Sequence, residues 1–329
     1  MKTKAVYIIE SEETDLYFEQ AWVSAWSLKH HNPDMSVTFV VDPDTYVNMH
    51  GCYRAKAMAL TDDTLMVKVP EEYTCTARSR WMKTTLRKHV KGDYLFLDAD
   101  TIVCGSLEEL DKQEGDVAMV LDAHQRLSEN CRRKVILQRV AEVAGREITT
   151  DKYYNTGVML VKDTEPSHLL YDEWNKWWKT GMEKGLVTDQ PSFAVAQQKY
   201  DIVRQLDDIY HCQVKNSIKY LSEAVVIHFF CIGNATQAPN PFYNDKIYKR
   251  IKEYGELDKT LKSMVLTCKS QYELPTYVMS GKEIKIKNSS TFHLLELLNE
   301  DCRWLYNIVN NISALILGIS SRLSRKKGL

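Results

Sequence analysis

The sequence predicts an α/β protein: a Rossmann-like sheet flanked by helices, with an amphipathic helical appendage at the C-terminus. Three observations lead there. Short apolar runs alternate with longer stretches of helical periodicity from residue 4 to residue 230. Several of those runs stop abruptly at aspartate. The last stretch, Arg303 to Leu329, carries basic residues but no Asp or Glu.

Taken in order, Lys4–Glu10 (KAVYIIE) reads as a buried strand. Leu16–His31 follows with Phe18, Trp22, Ala25, Trp26 and Lys29 at helical spacing, and His31-Asn32-Pro33 ends it. Ser36–Val41 is β-branched and stops at Asp42-Pro43. Strand, helix and strand in that order open a parallel sheet. Leu65–Val69 is the next strand, a basic helix covers about Ala77 to Val90, and Asp93–Leu97 delivers Asp98-Ala99-Asp100. Asp116–Leu121 ends at Asp122; a helix over roughly Glu129–Ala144 separates it from the strand Tyr153–Val161. Helices fit Ser167–Lys179 and Gln190–Lys199, and Ala224–Phe230 is the last strand. Residues 240–300 show no clear pattern. The expected division is a catalytic domain over 1–240, an accessory region over 241–302 and a helix over 303–329.

Composition excludes several classes. With 44% hydrophobic and 26% charged residues, the 329-residue chain is globular in composition. Its net charge of −1 hides an asymmetry: Arg303, Arg322, Arg325, Lys326 and Lys327 put +5 on the tail, leaving −6 on residues 1–302. An acidic body argues against a whole-chain nucleic-acid binder. The eight cysteines lie 19 or more residues apart and have no zinc spacing. The apolar run Ala5–Ile9 is too short for a signal core, and no stretch of 18 apolar residues is present. The expected compartment is the cytoplasm, with peripheral attachment to the inner face of the cell membrane.

Asp98-Ala99-Asp100 is the most informative motif. It sits at the carboxyl end of an apolar strand, where open α/β sheets bind ligands. On an extended segment, side chains two apart point the same way. Two such carboxylates repel unless a cation lies between them, and hard divalent ions take oxygen ligands of this kind. A solvated turn with two aspartates is the bland alternative. Two enzyme classes use this pattern: metal-dependent nucleotide-sugar glycosyltransferases, and haloacid-dehalogenase-like phosphatases. The phosphatases place the first Asp on the first strand of the domain, whereas about ninety residues precede Asp98. Asp207-Asp208, the candidate for their downstream acidic pair, does not end an apolar strand.

In their order along the chain, several pieces resemble glycosyltransferase family 8, the glycogenin and bacterial lipooligosaccharide galactosyltransferase type. They are Ala5–Glu10, Leu28 with Asn32-Pro33, Arg78, Tyr94–Asp100 with Gly105-Ser106-Leu107, Asp122, Asn155-Thr156-Gly157-Val158, Asp189-Gln190 and His228. The resemblance covers about residues 4–232. It implies a GT-A fold with a mixed central sheet, a UDP-sugar donor (UDP-galactose or UDP-glucose), Mn²⁺ or Mg²⁺, and transfer with retention to a saccharide or lipid-linked glycan in surface-glycan (lipopolysaccharide-type) biosynthesis. It assigns Asp98, Asp100 and His228 to the metal. Ile9, Glu10, Arg78, Lys83, Ala99, Asp122, Asn155 and Asn234 go to the donor, together with Asp98 and Asp100. Asp189 binds sugar hydroxyls, and the Gln190 oxygen lies behind the anomeric carbon; these two are the catalytic candidates.

Taken alone, His228 in its apolar run suits a satisfied core histidine. Asn155 suits a turn cap and Asp189 a helix cap. Arg80, Lys83 and Arg87 could be a solvated basic face. Retention usually invokes a carboxylate nucleophile, and Gln190 is a poor one. Front-face attack is therefore preferred, with Gln190 stabilising the oxocarbenium-like charge and a diphosphate oxygen taking the acceptor proton. The chain departs from the family pattern in two places. Glu10-Ser11-Glu12-Glu13-Thr14-Asp15 replaces the usual base-reading segment, and Asn234 replaces a lysine that contacts the departing diphosphate, a role that Lys246 could take instead. These departures keep open a non-catalytic sugar-nucleotide-binding protein beside the phosphatase alternative.

Leu305, Ile308, Ile312, Leu315, Ile319 and Leu323 recur at three- and four-residue steps, with Trp304 and Ile316 beside them and the basic cluster at the end. This stripe over 304–327 suits an anionic membrane surface. A helix packed on the body or on a partner chain is the alternative.

Overall fold

The computed structural model describes residues 2–50, 52–147, 149–230, 241–242, 245–270 and 285–326, with the backbone course alone for 270 and 317–326. The chain divides into two compact units, Met1–Leu274 and Pro275–Leu329.

The first unit is built on a seven-stranded sheet: β1 (Lys4–Ile9), β2 (Val37–Val41), β3 (Asp63–Met66), β4 (Tyr94–Leu97), β6 (Val117–Leu121), β7 (Tyr154–Val161) and β8 (Val203–Gln205). A short sheet holds β5 (Thr101–Val103), β9 (Cys212–Gln213) and β10 (Val226–His228). The large sheet has the order β3-β2-β1-β4-β7-β6-β8. Its strands are parallel except β7, which runs antiparallel to both β4 and β6. The sheet is mixed, as expected.

Alternation along β1 shows why the strand forms. Ala5, Tyr7 and Ile9 enter one core with Phe18, Ala21 and Trp22 of α1 (Tyr17–His31), while Val6 and Ile8 enter the other. That second core includes Met82 and Leu86 of α3 (Cys75–His89) and Leu170 and Trp174 of α5 (Glu165–Glu183). A strand buried on both faces reads as a continuous apolar run. Glu19 of α1 and Arg54 form a fully desolvated ion pair at 2.8 Å, with the Tyr53 hydroxyl donating to the same carboxylate.

The helices α4 (Arg133–Ala144), α5 and α6 (Gln190–Tyr200) begin or end within a few residues of the expected positions. Thr74 caps α3 through the Ala77 N–H, and Thr164 with Ser167 forms a capping box on α5. The short α2 (Pro43–His50), the 3-10 segment Tyr53–Leu60 and strands β5, β8 and β9 have no counterpart in the sequence reading. The expected strand at Leu65–Val69 shifts back to Asp63–Met66. It lies at the sheet edge and is half exposed, so its apolar residues do not mark its limits. The region without a readable pattern contains α7 (Lys246–Tyr254), α8 (Lys259–Leu266) and a helix at Ser290–Asp301.

The second unit pairs Ser290–Asp301 with the expected C-terminal helix, Arg303–Lys326. Trp304, Ile308, Ile312, Leu315 and Ile316 are exposed along it. Among the described residues no helix is long and apolar enough to cross a membrane.

Candidate active site

Because β1, β4 and β6 run one way and β7 the other, the carboxyl ends of the first three share an edge with the start of β7. Glu10, Asp98, Asp122 and Asn155 stand along that edge. The topology therefore gathers residues that the sequence spreads over about 145 positions.

Asp98-Ala99-Asp100-Thr101 is a tight turn between β4 and β5, not an extended segment. The Thr101 N–H and hydroxyl both donate to the Asp98 carbonyl, at 3.2 and 2.8 Å. The Thr101 hydroxyl also meets Ser24 of α1 at 2.9 Å, and Ser24 in turn donates to the Tyr7 hydroxyl. Strand alternation thus gives the wrong reason for the closeness of the two carboxylates; a turn braced from α1 gives the right one. β10 runs antiparallel to β5 with His228 opposite Thr101. Its Nε2 lies 3.1 Å from Asp100 Oδ1 and 4.0 Å from Asp98 Oδ2. One ligand atom from each of Asp98, Asp100 and His228 falls within 4.8 Å of the others.

The residues fit a divalent cation on two counts. Two carboxylates and an imidazole are a suitable donor set for Mn²⁺. Space is also reserved for them: a Cβ on Gly157 would lie 2.5 Å from His228 Cε1 and 3.0 Å from Asp98 Oδ2. Glycine within β7 is what lets His228 and Asp98 approach each other, and the Gly157 carbonyl accepts from the Asp98 N–H at 2.8 Å.

Asp98, Asp100 and His228 border a cavity of about 430 Å³ lined by Ile8, Glu10, Arg80, Lys83, Asn155 and Asp189-Gln190, among others. Lys83 is almost fully buried; its Nζ lies 3.0 Å from Asp98 Oδ1, 3.6 Å from Asp189 Oδ2 and 4.7 Å from the Phe96 ring centre. Asp189 also accepts from the Thr156 hydroxyl at 2.9 Å and lies 3.3 Å from Arg80 Nε. Burial alone would raise the Asp189 carboxyl, but Lys83, Arg80 and Thr156 outweigh it and hold it below its usual range. Buried Trp174 donates to the Asp189 carbonyl at 2.9 Å, fixing the entrance to α6 from which Gln190 faces the cavity.

Glu10 is buried at the end of β1. Burial, and then the neighbouring Asp42 carboxylate, push its carboxyl up to about 7. Arg78, expected at the donor, bonds Asp42 and Asp44 and lies 4.0 Å from Glu10; it is not part of the cavity lining. Arg80 is the arginine on the wall. Ile9 packs into the core while Ile8 reaches the cavity. Ala99 lines it beside the two aspartates. Asp122 stands behind Asn155, accepting from its amide at 2.8 Å, and is not on this cavity's wall. Asn234 lies outside the described residues, and Lys246 is an exposed residue opening α7.

Some residues had no role in the sequence reading. Ala123 and His124 follow Asp122 with φ of 55° and 59°, a left-handed pair without glycine. Gln213 holds this turn: its side chain accepts from the Ala123 N–H and donates to the Leu121 carbonyl, while its own N–H donates to His124 Nε2. His124 therefore carries its proton on Nδ1 and donates to Asp208 at 2.7 Å. Buried His211 touches His228. No sequence pattern flags Gln213 or His211, because both act across strands far apart in the chain.

No family model and no curated protein matches this sequence. Solved structures do. An active-site mutant of LgtC aligns over 79% of this chain and 99% of its own, at 14% identity and TM-score 0.50. The chain has a GT-A glycosyltransferase fold. Other similar structures are the galactosyltransferase LgtC in complex with donor and acceptor sugar analogs (14% identity, 79% and 99% covered, TM-score 0.49) and the glycosyltransferase GlyE of Streptococcus pneumoniae (16%, 84% and 67%, 0.46). The resemblance to family 8 therefore holds at the level of the fold. The phosphatase alternative loses ground: Asp98 ends a strand in the middle of this sheet and follows three earlier strands.

Proposed function

We propose that the chain is a metal-dependent, retaining hexosyltransferase that takes a hexose from a UDP-sugar, UDP-galactose or UDP-glucose, and adds it to a saccharide or lipid-linked glycan in surface-glycan synthesis. The observation that carries the reading is the convergence of Asp98, Asp100 and His228 on a cavity whose other wall is Lys83, Asp189 and Gln190. Asp98, Asp100 and His228 would hold Mn²⁺ or Mg²⁺, which when bound neutralises a diphosphate. Arg80 and Lys83 add positive charge on the same wall. Glu10 and Ile8, at the end of β1, would meet the nucleoside, since Ile9 is turned into the core. Asn155, braced by Asp122, and Asp189 offer polar groups for sugar hydroxyls, with the Asp189 carboxylate kept ionised as an acceptor. Gln190, neutral and aimed at the cavity from the start of α6, stabilises positive charge developing at the anomeric carbon. The acceptor attacks from the face the diphosphate leaves, and a diphosphate oxygen takes its proton.

The proposed catalytic domain is 1–240, with 241–302 accessory. We further propose that the 304–327 stripe attaches the protein to an anionic membrane surface on the cytoplasmic side; the exposed Trp304, Ile308 and Ile312 support this.

The test is incubation with Mn²⁺, a panel of nucleotide sugars and glycan acceptors. Glycosylated product is expected, and Asp98→Ala should abolish it. Inorganic phosphate released from phosphoesters, or donor binding without turnover in any combination, refutes the reading.

A further inference from the structure

His228 can serve a cation only with the lone pair of Nε2, so its single neutral-state proton must sit on Nδ1. Nothing in the imidazole itself enforces this. Asp100 Oδ1, 3.1 Å from Nε2, favours the opposite arrangement, in which Nε2–H donates to the carboxylate. The choice falls to whatever faces Nδ1. That neighbour is His211, whose Nε2 lies 2.9 Å away, with the ring centres 5.1 Å apart and the planes at 23°, so that the two imidazoles meet edge to edge. One face of the His228 ring is covered by Phe230, at 3.8 Å and 16°. His211 is itself fully buried, and its Nδ1 has no hydrogen-bond partner among the described residues.

We propose that His211 is a positioning residue for the metal centre: its Nε2 accepts the Nδ1–H of His228, holding the ring in the tautomer and orientation that turn the Nε2 lone pair to the cation. This inference rests on the proposed metal centre. Metal-bound histidines generally donate their second N–H to an acceptor that sets tautomer and basicity, most often a carboxylate, carbonyl or water. Here the acceptor is a second imidazole. In this arrangement His211 carries its own proton on the unpartnered Nδ1, and the bond from His228 to the cation offsets that unpaired donor. His211 sits at the junction of a 3-10 turn (Asp208–His211) and β9, and β9 pairs with β10 so that Cys212 and Gln213 face Ile227 and His228. The short three-stranded sheet thus positions the ligand on β10 and its acceptor beside β9 together. It also accounts for a histidine at 211, where an apolar residue would fill a fully buried position at lower cost.

The experiment measures Mn²⁺ binding directly, by electron paramagnetic resonance of the free ion, without nucleotide and without turnover. His211→Phe keeps a flat ring against His228 but removes the acceptor; His211→Gln keeps an oxygen acceptor close to the Nε2 position. The expected result is a loss of about 10- to 100-fold in Mn²⁺ affinity for H211F, with H211Q restoring most of it. Folded H211F with wild-type affinity overturns the inference, and so do equal losses in both variants, which mark a packing role only. Wild-type protein that binds no Mn²⁺, or binds it equally after His228→Ala, instead overturns the metal centre and this inference with it. A second measurement needs no variant: ¹⁵N NMR of the imidazoles in the Zn²⁺-loaded wild-type protein. A proton on His228 Nδ1 and none on His211 Nε2 supports the inference; a proton on His211 Nε2 refutes it.

Discussion

Gly157 offers the sharpest test of the proposed metal centre because one methyl group changes one distance set. In Gly157→Ala the new Cβ would stand 2.5 Å from His228 Cε1, 2.7 Å from Nδ1 and 3.0 Å from Asp98 Oδ2. Carbon atoms pack at about 3.5 Å or more, so the imidazole or β7 must retreat by about 1 Å. Metal ligands tolerate about 0.2 Å. His228 has little room to yield, because Phe230 covers one of its faces and His211 abuts its Nδ1 edge. The overpacking itself costs about 1–3 kcal/mol of stability, which a protein of this size can survive. The expected outcome is a folded protein whose Mn²⁺ affinity falls at least about tenfold and whose transfer rate falls about a hundredfold. Calorimetric Mn²⁺ titration, circular dichroism and a transfer assay read the three quantities separately. Folded G157A with wild-type Mn²⁺ affinity and rate would show that the gap beside Gly157 is not needed by the ligands, and the reasoning would fail.

Three further predictions concern other parts of the molecule. Gln190→Ala should lower kcat by about 10- to 100-fold with little change in donor KM, since the side chain acts on charge that develops only in the transition state; an unchanged kcat in steady-state assays removes Gln190 from the mechanism. The Glu10 carboxyl stands raised to about 7 when folded against an ordinary 4.5, so the folded state binds the extra proton between those values and stability falls as pH rises through that window. Glu10→Gln should flatten this fall, so that its melting temperature gains on the wild type at pH 8 relative to pH 5; parallel curves in thermal scans would contradict it. Arg54→Ala strands the buried Glu19 carboxylate and should cost about 3–5 kcal/mol in denaturant unfolding, whereas a loss under about 1 kcal/mol would mean that water reaches the pair.

Much of the fold is legible in the chain because strands buried on both faces must be continuously apolar. Ala5–Ile9, Val37–Val41 and Val117–Leu121 announce themselves in this way, and the aspartates that end such runs mark the edge where a site can form. The edge strand β3 and the two- and three-residue strands β5, β8 and β9 are different. β3 and β8 are mostly unburied and β5 and β9, though buried, are too short to leave a pattern; they exist because neighbouring strands pair with them.

By itself, then, the sequence determined the alternation of strands and helices, the acidic strand ends, the Asp98-Ala99-Asp100 motif and the apolar stripe near the C-terminus. These are local properties, set by which side chains must leave water and by turn chemistry. Only the tertiary structure decided which charges meet. It turned Arg78 to Asp42 and Asp44, set Arg80 and Lys83 against Asp189, and stacked His228 on Phe230 with its Nδ1 edge against His211. It also showed that a side chain at 157 would collide with His228 and crowd Asp98. Such pairings depend on strand order and register, which are settled by the packing of segments a hundred or more residues apart, and no local pattern encodes them.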